Sequence, residues 1–155
     1  FRDWISDMNM MQMSDIRQFT ADRFHFLMDC GFTACDTTNN LGIDVVCFAG
    51  EMLGIEIELD WRECSAFVLL VKLVNGKRPA GYYVNAGNVV RIHLIQFLRH
   101  LAVSPGLDID GSLKRLKRTK ERVDCSTRIA NDVDAYAELL ESVLGLLPFD
   151  GNIVA

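Results

Sequence analysis

The stretch GIEIELDWRE, residues 54–63, alternates Glu56, Glu58 and Asp60 with Ile55, Ile57, Leu59 and Trp61. Successive side chains of a strand point to opposite faces, so three carboxylates would line one face and four apolar groups the other. Such a row suits two kinds of chemistry. It can gather a divalent cation that activates water, or it can present negative charge to a cationic partner.

For the first, a metal-dependent nuclease of the restriction type needs an acid on one strand and an acid-x-Lys pair on the next. Asp44 with Glu56-Ile57-Glu58 approaches that layout, but Glu58 stands where the Lys belongs, and Lys72 would have to lean in from a neighbouring strand. The second use needs only a wet sheet face. The residues assigned to partner binding are therefore Glu56, Glu58, Asp60 and Arg62, with no catalytic residue, metal or cofactor. A nuclease-like enzyme using Asp44, Glu56 and Glu58 is the alternative, and a structural or oligomeric domain is the second.

Other chemistry-bearing residues are scattered. His25, His93 and His100 fall in segments that read as helical, where a lone His is more often packed or solvated than a base. The five cysteines (Cys30, Cys35, Cys47, Cys64, Cys125) are odd in number and contain no CxxC, which predicts reduced thiols in a cytosol. Zinc on Cys30, Cys35 and His25 would lack a matching second pair. No GxSxG, HExxH, Walker A or GxGxxG motif occurs.

The chain has 155 residues, half of them hydrophobic and 24% charged, the composition of one ordinary folded domain. Its net charge of −5 hides a polarity: LKRLKRTKER, residues 113–122, carries +5 and leaves −10 on the rest. Lys114, Arg115, Lys117 and Arg118 are thus a candidate secondary basic surface. Without interleaved aromatics and on an acidic body, that segment reads against nucleic acid and towards a solvated or self-docked helix. The longest apolar run, Ala66 to Val71, is strand-sized, and no export signal is seen, so no membrane and a cytoplasmic location are expected.

The elements that must position these groups follow from periodicity. A helix is predicted over 15–29, with Gly31 as its stop. Strands follow at 32–36, 43–49, 52–62, 66–74 and 81–84, with Asn75-Gly76 a hairpin signal. Residues 66–74 are apolar on both faces, as in a central strand. Residues 88–102 mix both periods and are read mostly as helix. After the break at SPGLDIDG come the basic helix and a last helix, capped by Ser126 or Thr127 and running to Leu147. Ile129, Val133, Tyr136, Leu140, Val143 or Leu144, and Leu147 form its apolar stripe. Residues 1–12 read as an extension or an added segment, 13–147 as one domain and 148–155 as a tail. Strands grouped between helices predict α+β: an N-terminal helix, an antiparallel meander of about five strands, and C-terminal helices on one sheet face. The other face is expected to be solvated.

FHFLMDCGF, IDVVCFAG, IEIELDWRE and AFVLLVKLV together resemble small single-domain bacterial immunity proteins, over roughly residues 15–100. In those chains a helix ends in a Leu-rich element before a meander whose third strand closes on Asp-aromatic-Arg. The resemblance implies a non-enzymatic protein that neutralises a toxin by binding it, commonly through an acidic surface against a basic cleft. The partner it implies is a protein, such as a basic toxin domain, with a homo-oligomer left open.

Overall fold

Apolar side chains at alternate positions of three neighbouring strands need a cover, and helices supply it. The structure is a computed structural model that describes residues 2–101 and 124–154, with side chains from residue 13 onward. The basic segment, and with it Lys114, Arg115, Lys117 and Arg118, lies outside the described residues.

Helix α1 (Arg2–Arg23) passes into a 3-10 turn (His25–Cys30), closed by Gly31 in the left-handed region. Strands β1 (Thr33–Ala34) and β2 (Thr38–Asn40) both pair with β3 (Ile43–Ala49), followed by β4 (Leu53–Asp60) and β5 (Ser65–Lys72). Strands β6 (Val84–Asn85) and β7 (Asn88–Val89) form a separate hairpin. Strand β8 (Arg91–His93) returns beside β5 and leads directly into α2 (Leu94–His100). Helix α3 (Cys125–Ser142) and a 3-10 turn (Leu144–Leu146) complete the described elements. The main sheet runs β1-β3-β4-β5-β8, antiparallel throughout, with β2 also beside β3. The expected α+β architecture is present.

Pairing of Val46 with Ile57 and of Ile57 with Val68 sets one face of the sheet. That face carries Val46, Phe48, Ile55, Ile57, Leu59, Val68 and Leu70 into a core with Phe24, Leu27, Leu98, Ile129, Val133 and Leu140. Burying side chains of this size stabilises by about 1.5–3 kcal/mol each. The predicted stripe of α3 is the part of that helix that enters it. Arg23 fastens α1 to α3 through Asp134 (2.9 Å) and Glu141. Trp61 packs against the same core half-buried, as its register with Ile55, Ile57 and Leu59 requires.

Several boundaries differ from expectation. Residues 2–12 and the helix predicted over 15–29 are one helix, which gives way to 3-10 geometry at His25. The fifth strand of the sheet is Arg91–His93, not residues 81–84, and among the described residues of the segment 88–102 only Leu94–His100 is helical. Ala86 and Gly87 both sit at positive φ (51° and 81°), the conformation of a two-residue hairpin turn, and this turn diverts the chain before it returns to the sheet. Asp124, and neither Ser126 nor Thr127, caps α3: its carboxylate accepts the Thr127 N–H at 2.8 Å. Residues 148–154 are packed on the domain, with Ile153 buried and the Phe149 ring 6.0 Å from Phe32. The thiols are not all reduced. Cys64, in the β4–β5 turn, meets Cys125 at the start of α3 in a disulfide with Cα atoms 4.9 Å apart. The partners lie 61 residues apart, so local spacing carried no sign of the bridge.

Candidate functional site

The second face of β4 carries Glu56, Glu58 and Asp60, as the alternation required, but the expected wet acidic surface is not there. The three residues are 3%, 4% and 7% exposed. Their strand is central, and residues 77–90 fold back over it. Neighbouring strands add Cys47, Leu69 and Val71 to the same buried layer.

A buried carboxylate needs compensating charge or hydrogen bonds. Glu56 receives both from Arg91, which the β8 register places on the same face: Nε donates to Oε1 at 2.7 Å and Nη2 to Oε2 at 3.2 Å. Arg78 adds a further contact to Oε2 at 2.7 Å. Arg91 Nη1 also donates to the carbonyls of Pro79 (3.3 Å), Gly81 (3.1 Å) and Tyr82 (3.1 Å). One guanidinium thus neutralises the strand carboxylate and fastens the covering loop.

Glu58 accepts a hydrogen bond from the Tyr82 hydroxyl. Burial pushes the Glu58 carboxyl above its usual range, the Tyr82 hydrogen bond opposes this, and the charge of Glu56 raises it again. Asp60 serves the turn, accepting the backbone N–H groups of Arg62 (3.0 Å) and Glu63 (3.2 Å). Arg62 lies 3.5 Å from Asp60 and is the exposed member of the four residues assigned to partner binding.

Asp44 lies on the opposite face. It pairs with Leu59 in the register, and three donors saturate it: Asn39 (2.7 Å), Trp61 Nε1 (2.9 Å) and Arg17 (3.1 Å). The sheet therefore separates Asp44 from Glu56 and Glu58, and the nuclease layout drawn from those three residues is not assembled. Lys72 is also on the Asp44 side, since it pairs with Leu53. Among the described residues, no three His, Cys, Asp or Glu side chains are grouped to hold a metal ion. His25 and Cys30 are exposed and Cys35 is half-buried.

Beyond the loop, the hairpin of β6 and β7 carries Tyr82, Tyr83, Val84 and Val89 in solvent, 40–54% exposed. Beside it opens a cleft of about 440 Å³ lined by Tyr83, Val89, Ile92, His93, Gln96 and His100, together with Arg91 and the C-terminal Ile153 and Val154. Gln96 and His100 lie one turn apart on α2, and His93, at the end of β8 just before that helix, shares their wall. Tyr83 Oη and His93 Nε2 are 2.7 Å apart. Burial lowers the His93 pKa, which favours the neutral ring. None of the residues lining this cleft is acidic.

Arg78, Arg91, Tyr82 and Tyr83 were not singled out from the sequence, whereas His93 and His100 were weighed only as lone helical histidines. The period-two run Arg91-Ile92-His93 was the available signal, masked by the helical period that begins at Leu94. No family profile, curated protein or solved structure matches the chain.

Proposed function

We propose that the chain is a non-catalytic protein-binding module of the immunity type its sequence resembles, docking through the β6–β7 hairpin and the cleft beside it. The observation that carries this reading is the exposed group Tyr82, Tyr83, Val84 and Val89, held on a hairpin whose base Arg91 clamps through three carbonyls. Aromatic side chains on a rigid support beside a pocket are the usual anchors of protein recognition. The cleft accepts an apolar side chain of the partner between Val89, Ile92, Ile153 and Val154. Glu56 and Glu58 shape this surface from beneath and do not touch the partner.

The test replaces the exposed cross-strand pair by Val84→Lys with Val89→Glu. Opposite charges at directly paired positions keep the hairpin while removing its apolar surface. Tagged wild type and double variant are used to recover partners from extracts of the source cells. Recovery of a protein by the wild type, reduced roughly tenfold or more in the variant at unchanged thermal stability, supports the reading. Equal recovery overturns the hairpin surface. Catalytic turnover by the isolated chain, abolished by a conservative change in the cleft, overturns the non-enzymatic assignment.

A further inference from the structure

Strand β1 registers Thr33 against Ala49 and Ala34 against Phe48, which sets Cys35 opposite Cys47. The Cys35 N–H donates to the Cys47 carbonyl at 2.9 Å. Directly opposed residues of an antiparallel pair have Cα atoms about 4.5–5.5 Å apart, inside the range of about 4.4–6.8 Å that a disulfide spans. Directly opposed residues project to the same side of the two strands, and the Cys35 thiol donates to the Thr33 carbonyl at 3.9 Å. Both are free thiols, Cys35 half-buried at the sheet edge and Cys47 buried.

A third group completes the arrangement. The Arg78 guanidinium interacts electrostatically with both sulfurs and is held there by its 2.7 Å bond to Glu56. Burial pushes the Cys47 thiol up, so Cys35 is the sulfur that reacts first, from the accessible side.

We propose that Cys35 and Cys47 form an oxidation site that a hydroperoxide converts into a cross-strand disulfide. The Cys35 thiolate attacks the peroxide oxygen, the O–O bond breaks, and the leaving oxygen takes up a proton as water. Cys35 is then a sulfenic acid. The Cys47 sulfur attacks it, the S–O bond breaks, the S–S bond forms, and the departing hydroxide leaves as water with the Cys47 proton. In sum, two thiols and hydrogen peroxide give one disulfide and two waters, the sulfurs supplying both electrons. The product ties the β1 edge to β3 beside the Glu56–Arg78 pair, distant in sequence from the Cys64–Cys125 bridge.

The test treats the whole folded chain with equimolar hydrogen peroxide, blocks remaining thiols and maps peptides without reduction. The expected product is a linked pair of peptides containing Cys35 and Cys47, lighter by two hydrogens. With excess hydrogen peroxide, Cys47→Ser should replace it with sulfinic or sulfonic acid at Cys35. Over-oxidised Cys35 with a free Cys47 in the wild type, or a link from Cys35 to Cys30, overturns the proposal.

Discussion

Replacing Arg91 by Met leaves a buried carboxylate facing an apolar chain of similar length. Glu56 keeps Arg78, the more exposed of its two cationic partners, while three loop carbonyls lose the donor they share. Removing one member of a buried ion pair costs about 3–5 kcal/mol. For a domain of this size that lowers the melting temperature by roughly 6–20 °C. The companion change Glu56→Met, made together with Arg91→Met, removes the stranded charge as well as its partner. The double variant is therefore expected to lose clearly less than the sum of the singles, with a coupling of about 2 kcal/mol or more. Urea denaturation at pH 7 with the Cys64–Cys125 disulfide intact measures all four proteins. Limited proteolysis should cut residues 77–83 faster in Arg91→Met than in the wild type, because the clamp on that loop is gone. A single-variant loss below about 1 kcal/mol, or additive losses, would refute the view that this pair holds the loop over the sheet.

The remaining predictions concern neighbouring groups. Glu58 has a raised pKa, so the folded chain holds its proton where the unfolded chain has released it, and stability falls as pH rises from 4.5 through the folded value. Glu58→Gln should remove that fall, gaining on the wild type between pH 4 and 7 in parallel denaturation series; a growing deficit in the variant would contradict the burial argument. Trp61→Ala should lose roughly 2–4 kcal/mol, below a fully buried Trp because the side chain is half-exposed. Trp61→Phe should lose about 1 kcal/mol, the bond to Asp44 alone; an unchanged midpoint in both would mean that the residue faces away from the core.

Periodicity alone placed β3, β4 and β5 to within a residue or two, put Trp61 on the core face, and marked the stripe of α3. These are local statements: which face a side chain takes follows from the two-residue repeat of a strand or the 3.6-residue repeat of a helix. The Asn75-Gly76 turn was equally legible, with both residues at positive φ in the structure. The environment of the second sheet face was not. Alternation says that Glu56, Glu58 and Asp60 share a side, but not whether water or protein lies over it. That was decided by residues 77–91, whose Arg78 and Arg91 return from 22 and 35 positions away in sequence to meet Glu56. The separation of Asp44 from Glu56 was likewise fixed by the β3–β4 register, since a shift of one residue would have put them on one face. Cys64 with Cys125, and Cys35 opposite Cys47, came together by the same route. The sequence by itself determined which side chains are grouped on each strand face; only the tertiary structure decided what covers each face, because burial, charge compensation and thiol pairing depend on contacts between segments remote in the chain.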